Sequence, residues 1–340
     1  MLSDLKQSKS WQLAAGAVGW LLLITVLHLW LNFDYGKKQV FTMGYMPVIT
    51  NMSAPLLDHV SKDSRDMYFK AMKFSSFAEM ASALRSDKIQ AAFIIAPLSV
   101  VLRQQGVDVK VVYIGNRHES TLVAKKSLKV RNFEDLGGKT VAVPIRYSGH
   151  NLSLLELMDK HGMPGRVNVV ELNPPDMAAA LAAGSLDAYY VGEPFAAQLL
   201  MQGENSPADL VHHVEDVWPN FICNLVIVKQ GTIERDPKLV RQFVQGAARA
   251  SLWAKTHQQE AAEIAAKYWS QSPDVAKFAL SSRKVVFDHF LPKKEEMQQI
   301  ADLMTKHKLI ENNKIDGLVD DQFAASVKIE DVPELADILQ

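Results

Sequence analysis

The sequence predicts a two-lobed α/β protein behind an apolar N-terminal helix, and three observations lead there. The first is a repeat. Residues 80–97, MASALRSDKIQAAFIIAP, align without a gap on residues 177–194, MAAALAAGSLDAYYVGEP, with six identities (Met, Ala, Ala, Leu, Ala and the final Pro). Each copy reads as an Ala-rich helix, a tight turn, a short apolar strand and a Pro that opens the next helix. Two such units ninety-seven residues apart imply two similar lobes with a cleft between them. The second observation is the alternation of strand and helix patterns from residue 39 onward, the signature of parallel sheets wrapped by helices. The third is an uncharged run from Ser10 to Phe33.

That run, WQLAAGAVGWLLLITVLHLWLNF, exceeds the roughly 20 apolar residues a bilayer crossing needs. Trp11 and Trp30 stand near its ends, where amphipathic rings favour the membrane interface. The run is longer than the core of a cleavable signal peptide, and neither a small-x-small site nor an early Cys follows it. It reads as an uncleaved single-pass signal-anchor in the inner (cytoplasmic) membrane. Lys6 and Lys9 favour a cytoplasmic N-terminus, against Lys37 and Lys38 on the other flank. His28 within it reads as an interfacial residue.

Beyond the anchor, Gln39–Tyr45 reads as a strand, Met46–Thr50 as a loop and Asn51–Val60 as a helix. Tyr68–Phe74 alternates like a half-exposed strand. Ser75 or Ser76 caps the first repeat helix. Ala91–Ile95 is apolar throughout, as in the centre of a parallel sheet, and strand Val109–Ile114 follows a further helix. Ala124–Lys139 is polar and lysine-bearing, and reads as the crossover into the second lobe. Strand Thr140–Val143, a helix from Gly149, strand Val167–Val170, the second repeat and strand Leu210–Val214 follow. Phe221–Val228 is the return strand, and from Asp236 the pattern is almost wholly helical, Asp236–Pro237 forming an N-cap and first helical position. The predicted segments are 1–38 for tail and anchor, 39–124 for the first part of lobe I, 125–223 for lobe II, and 224–340 for the return strand and C-terminal helices of lobe I.

Composition narrows the function. A net charge of −1 gives no electrostatic case for nucleic acid. A single cysteine, Cys223, excludes an intrachain disulfide and a Cys-rich zinc site. A phosphate-binding glycine loop, a GxGxxG, a GxSxG elbow and an HExxH are all absent, and no local catalytic set, cofactor motif or metal site is predicted. The adjacent pair His212–His213 points in different directions on any regular backbone. The pattern favours binding over catalysis.

In open parallel sheets, ligands sit beyond the carboxyl ends of the strands. That rule selects the loops Met46–Asn51, Ala96–Ser99, Asn116–Ser120, Arg146–His150, Asn173–Met177 and Gly192–Phe195, with Trp218–Asn224 beside the hinge. The ligand-binding candidates within them are Pro47, Asn51, His118, Glu119, Ser120, Arg146, Ser148, Gly149, His150, Met177, Glu193 and Asn220. Arg146–His150 is the richest: free N–H groups at a helix start suit an anion, Arg146 adds a fork of donors, and His150 donates or accepts. The competing reading makes Ser148 a plain helix cap and His150 a solvated first-turn residue. Glu193 opens a helix, a place that favours acids with or without a ligand. Ala96 stands opposite Glu193 in the repeat, so polar discrimination is expected mainly from the second lobe.

PPDMAAALAAGSLDAYYVGEPF resembles the PPxxMxxxLxxGxxDAxxVGEP signature of the nitrate and bicarbonate branch of ABC-importer substrate-binding proteins, whose fold is shared with thiamine-pyrimidine-binding relatives. DLGGKTVAVP, Ser148–His150, WPNFICNLVIV and DPKLVRQFVQGAARASLWAKT support the resemblance from about Phe41 to Ser270. It implies a type II periplasmic-binding-protein fold and an extracytoplasmic receptor, not an enzyme. It implies a small solute of nitrate, sulfonate or bicarbonate type, permease and ATPase partners, and a cleft role for His150, Glu193 and Glu119–Ser120. Nitrate binders place a tryptophan in the first lobe's cleft, and none stands between Trp30 and Trp218. Glu119 and Glu193 keep a zwitterion, a pyrimidine-like or amine-bearing solute, or an anion with a cation in view. An enzyme or a sensor on the same fold is the alternative.

Overall fold

The computed structural model describes residues 2–32, 38–281, 285–328 and 331–340. Two units compose it: an N-terminal helix and the α/β remainder. Helix α1 (Leu2–Asn32) contains Trp11–Leu29, with a mean hydropathy of 1.8, none of it buried. Among the described residues it is the one helix long and apolar enough to cross a membrane. Thr25 Oγ1 donates to the Leu21 carbonyl at 2.7 Å, so this hydroxyl is satisfied within the helix itself. Phe33, the predicted end of the apolar run, and Lys37 lie outside the described residues.

The α/β unit holds two five-stranded sheets with the same internal plan. The first contains β1 (Gln39–Tyr45), β2 (Met67–Lys73), β3 (Ala91–Ile95), β4 (Val109–Ile114) and β10 (Asn224–Lys229), in the order β2-β1-β3-β10-β4. The second contains β5 (Ser120–Lys125), β6 (Thr140–Val143), β7 (Asn168–Glu171), β8 (Ala188–Gly192) and β9 (Ala208–His213), in the order β7-β6-β8-β5-β9. β1 runs parallel to β3, and β6 runs parallel to both β7 and β8. One strand in each sheet runs against its neighbours. β10 is antiparallel to β3 and β4, with Val226 opposite Phe93 and Tyr113. β5 is antiparallel to β8 and β9, with Leu122 opposite Tyr190 and His212.

Those two strands correct the expected purely parallel layout and the expected crossover. Ser120–Lys125 already pairs in the second sheet, so the chain changes sheets between Ile114 and Ser120 and not after Ala124. The polar stretch that suggested the later boundary contains instead two short 3-10 turns, Lys126–Leu128 and Phe133–Leu136.

The repeat is real in three dimensions. Helix α2 (Ser53–Ser61) precedes α3 (Phe77–Arg85), which leads into β3; α4 (Ala96–Gln104) follows it. In α3, Phe77, Met80, Ala81 and Leu84 recur at i, i+3, i+4, i+7 and are buried against the sheet. In the second lobe α5 (Gly149–Lys160) lies between β6 and β7, and α6 (Pro174–Ala183) leads into β8. Met177 and Leu181 give α6 its core stripe, and Gly184, at φ +89°, ends it in the left-handed conformation. The copies diverge at their shared proline. Pro97 sits in the first turn of α4, whereas the Glu193–Pro194 bond is cis and α7 (Ala197–Leu200) starts three residues later.

The C-terminal part is helical through α8 (Gln230–Arg235), α9 (Pro237–Thr256), α10 (Gln258–Trp269), α11 (Pro273–Ser281) and α12 (Lys294–Lys306). Asp236 caps α9, accepting from the Leu239 N–H at 2.9 Å. Met297, Ile300, Ala301 and Met304 of α12 join the core that covers α4. Helix does not continue as predicted beyond Lys306. The Asn312–Asn313 pair and Gly317, at φ +66°, favour turns, and only the short helix Gln322–Ala325 and a 3-10 turn, Leu335–Leu339, follow among the described residues.

Gly115, at the exit of β4, shows how tightly the sheet switch is packed. A Cβ there would meet the Thr50 carbonyl oxygen at 2.1 Å, a backbone atom with no room to retreat. Gly115→Ala is expected to lower unfolding stability in urea by about 1–3 kcal/mol, the usual cost of overpacking. The control is Gly231→Ala in α8, where an added Cβ meets nothing within 4 Å.

Candidate functional site

Where the two sheets meet, six side chains form a closed hydrogen-bonded ring. Thr50 comes from the 3-10 turn Ile49–Asn51 after β1, and Cys223 and Asn224 from the entry to β10. Glu119 and Ser120 come from the entry to β5, and His150 from the first turn of α5. None is more than 2% exposed. Asn224 Nδ2 donates to Thr50 Oγ1 at 2.7 Å and toward Cys223 Sγ at 3.6 Å. Thr50 Oγ1 in turn donates to Glu119 Oε1 at 3.5 Å, and Ser120 Oγ to the same oxygen at 3.4 Å. His150 Nε2 lies 2.9 Å from Ser120 Oγ and 3.9 Å from Cys223 Sγ, closing the ring.

The local sequence explains why these groups arrive together. Each stands next to a strand with a buried apolar run, at a sheet end where backbone pairing stops. Ser148 caps α5, its Oγ accepting from the Asn151 N–H at 3.1 Å. That cap fixes the first helical turn, which carries His150 inward to contact the Tyr190 and Phe221 rings edge-on at 5.5 and 5.9 Å. Gly149 lets the helix approach Phe221, since a Cβ would stand 2.7 Å from that ring.

The electrostatics of the ring follow from burial. Desolvation pushes the His150 imidazole down to about 3, so it is neutral at physiological pH. Burial, and then the Glu119 charge, raise the Cys223 thiol well above its ordinary range. The sulfur is therefore a thiol, and the ring offers no activated nucleophile.

Two further amides adjoin the ring. Asn51 Nδ2 donates to the Met46 carbonyl at 3.1 Å, and Asn116 Nδ2 to the Ile49 carbonyl at 3.3 Å. The oxygens of Asn51, Asn116 and Asn224, and Nδ1 of His150, are buried without a hydrogen-bond partner. Orphaned atoms of this kind are uncommon in folded proteins and each one needs a reason.

Of the candidates chosen from sequence, Glu119, Ser120 and His150 converge, and Asn51 stands beside them. The others have different work. Glu193 does not face a cleft: its Oε1 accepts from Thr121 Oγ1 at 2.5 Å and its Oε2 from the Ala197 N–H at 2.8 Å. Its carbonyl accepts from the Ile49 N–H at 2.8 Å, which joins the lobes. Arg146 is exposed, with its guanidinium 5.3 Å from the Tyr147 ring centroid, and supplies only its carbonyl, to Asn151 Nδ2 at 2.7 Å. Met177 is core, and Pro47 is buried in the turn after β1. His118 Nε2 accepts from the Asn220 N–H at 3.0 Å, so these two brace the crossovers against each other. The ring draws equally on both sides: Thr50, Cys223 and Asn224 belong to the first sheet's side, and Glu119, Ser120 and His150 to the second's. The first three were missed as individual residues, although the strand-end rule selects the loop of Thr50 and the hinge-side stretch Trp218–Asn224 holds the other two.

Arg117, 3% exposed, anchors the same crossover. Nε donates to the His289 carbonyl at 2.9 Å, Nη1 to the Asn220 carbonyl at 2.8 Å, and the fork grips Glu296 at 2.9 and 3.1 Å. Among the described residues one group of three metal-type ligands exists, Glu156, Asp159 and His307, and Lys306 already occupies it at 2.5 Å from Glu156 and 3.1 Å from Asp159. His212 and His213 alternate along β9, so they do not share a face.

Because burial holds His150 neutral, the unfolded chain takes up a proton near pH 6.5 that the folded chain refuses until about pH 3. Its stability contribution is complete above pH 6.5 and is lost as pH falls toward 3. Between pH 7 and pH 5 the native chain is expected to lose about 2 kcal/mol more than His150→Gln. Urea titrations at the two pH values measure the difference; parallel losses in both proteins would show that His150 is not held neutral.

Comparison with known proteins agrees with this architecture. The model of the NMT1-like family matches residues 35–270. The taurine-binding periplasmic protein of Escherichia coli (strain K12) is 32% identical over 184 residues, covering 52% of this chain and 55% of that protein, so the chain spans about half the length of this curated relative. Among solved structures, the ligand-binding component of an ABC-type import system from Staphylococcus aureus, with zinc bound, superposes with a TM-score of 0.77 at 21% identity, covering 86% of this chain and 100% of that one. The alkanesulfonate-binding protein SsuA from Xanthomonas axonopodis pv. citri, bound to MOPS, gives 0.72 at 17% identity, covering 84% and 99%. These likenesses establish the two-lobed periplasmic-binding-protein fold. With the family model matched over more than half of the chain, the chain belongs to the NMT1-like family.

Proposed function

We propose that this chain is the solute-binding component of an ABC importer, which closes its two lobes on a small anionic solute and hands it to the permease. The observation that carries the binding role is the buried polar ring where the sheets meet, in which Asn224 Oδ1 and His150 Nδ1 lack protein partners; these are acceptors, so the anionic class of the solute rests on the family and its relatives. Such atoms are tolerated where a ligand or ordered water completes them. Family membership and relatives named for taurine and alkanesulfonates support the solute class. The raised thiol of Cys223 and the neutral His150 support binding without chemistry.

The lobes in this reading pivot about Gly115–Glu119 and the stretch before Asn224, and the solute stabilises the closed form. Helix α1 tethers the receptor as a single-pass anchor, with the binding unit on the periplasmic or extracellular side. Its 19-residue apolar stretch, about 28 Å long at 1.5 Å per residue, suits the hydrocarbon core.

Thermal unfolding of the full chain in detergent tests the function. Alkanesulfonate, aminoalkanesulfonate, nitrate or bicarbonate is expected to raise the melting temperature as its concentration rises, the stabilisation growing with the logarithm of concentration to about 2.7 kcal/mol at a hundred times Kd. His150→Ala and Ser120→Ala are expected to abolish the rise. No shift with any of these solutes would remove the reading. For the tether, the full chain is expected to stay in the membrane pellet after an alkaline wash, and a chain lacking residues 2–38 to appear in the supernatant. Release of the full chain would count against anchoring.

A further inference from the structure

A cavity of about 470 Å³, lined by none of the six ring residues, lies between α5, the stretch Val217–Pro219 and α12. Its wall on α5 is a single helical face, because Ser153, Glu156, Leu157 and Lys160 recur at i, i+3, i+4 and i+7. Gln299 and Leu303 of α12, one turn apart, line the same space, and the Trp218 indole stands between the two helices' contributions. Small-molecule sites are commonly roughly 300–1,000 Å³, sit where structural units meet, and combine apolar and aromatic walls with a few polar groups. This cavity has the size, the position and the lining.

Its charges are not balanced. Glu156 is already engaged, with Lys306 Nζ and His307 Nε2 both 2.5 Å from its Oε1. Asp159, on the same helix, takes Lys306 at 3.1 Å. Lys160, exposed at the end of α5, has no ion pair among the described residues. The cavity therefore offers an indole, aliphatic side chains and one uncompensated ammonium. A flat apolar body with an anionic end complements that set, its ring against Trp218 and its charge toward Lys160. An aromatic cation would gain a cation–π contact at the indole, but it would approach Lys160 with like charge.

Two short chains of contacts connect the cavity with the ring. Trp218 meets Phe221 edge-on at 5.4 Å, and Phe221 meets His150 at 5.9 Å. Ser153 Oγ lies 3.3 Å from the Tyr190 hydroxyl, and the Tyr190 ring meets His150 at 5.5 Å.

We propose that this cavity is a ligand site separate from the interlobe ring, that it takes a small aromatic carboxylate, and that the guest, touching α5 and α12 at once, favours the arrangement in which the two helices lie together. A ligand shifts such an equilibrium only by binding one arrangement better than the other, and a guest that needs both helices does so.

Isothermal titration of the full chain in detergent tests the site, with 3-phenylpropanoate, its amide and 3-phenylpropylammonium as probes, each also titrated into detergent alone. The carboxylate is expected to bind about threefold more tightly than the amide, a preference in the range of an exposed ion pair, and more tightly still than the ammonium. Lys160→Gln, an exposed change that leaves the core untouched, is expected to erase the preference for carboxylate over amide. Leu303→Trp, which fills the cavity, is expected to abolish binding of all three. With the carboxylate bound, amide hydrogen exchange is expected to slow in Ser153–Lys160 and in Gln299–Lys306. No binding of the carboxylate, equal or tighter binding of the amide or the ammonium, or slowing confined to other elements overturns the proposal. The comparison of probes and the exchange measurement use the native chain, so a variant that fails to fold does not shelter it.

Discussion

A carboxylate buried between two sheets is the constraint around which the rest of the interlobe region is arranged. Removing a charge from water costs several kcal/mol unless hydrogen bonds replace the lost hydration. At Glu119 the replacement comes from both lobes, from Thr50 on one side and Ser120 on the other. The neighbourhood is shaped to admit it. A Cβ on Gly192 would stand 2.9 Å from both carboxylate oxygens, so a larger residue at the end of β8 would push the group aside. The adjoining Glu193 then turns away and is consumed by Thr121 and the start of α7, which leaves one carboxylate and not two in the ring.

The two sheets show how a duplicated plan generates such a place. Their strand orders are equivalent position for position, with β10 in the first sheet where β5 stands in the second. Each of these antiparallel strands begins directly after the chain has crossed from the other lobe. Their first residues, Ser120 and Asn224, are therefore both at the junction by construction, and both are ring members. Exchange of one strand's place between lobes brings two distant parts of the sequence to one point without any long connection.

Much of this could be read beforehand, and the failures have physical causes. The repeat, the cap at Ser148 and the helix from Gly149 all rest on local spacing, and local spacing is what a sequence displays. His150, Glu119 and Ser120 emerged from the rule that ligands sit beyond strand ends. Glu193 misled because its sequence position, at a strand end before a proline, is equally good for facing a cleft or for capping the next helix. Only the partners Thr121 and Ala197 decide, and they lie on other elements or four residues on. Thr50, Cys223 and Asn224 were passed over because nothing in their own segments links them, 174 residues separating Thr50 from Asn224. The lobe boundary slipped because Lys-rich polarity was weighed above the short apolar run of β5.

Helix α12 joins the lobes by unequal means. At its start Glu296 is held in the two-pronged grip of the buried Arg117, and the helix packs against α4 of the first lobe. At its far end Lys306 and His307 reach Glu156 on α5, with the Lys306 and Glu156 side chains 48% and 36% exposed. Bidentate contacts to a buried guanidinium outlast pairs of half-exposed charges. Parting the lobes thus unfastens the Lys306 end and leaves the helix with the first lobe, a clasp sewn to one side of a purse. Half-exposed pairs weaken as dissolved ions screen them, over about 8 Å at physiological ionic strength. The surrounding electrolyte therefore joins the solute in setting how readily the clasp stays shut.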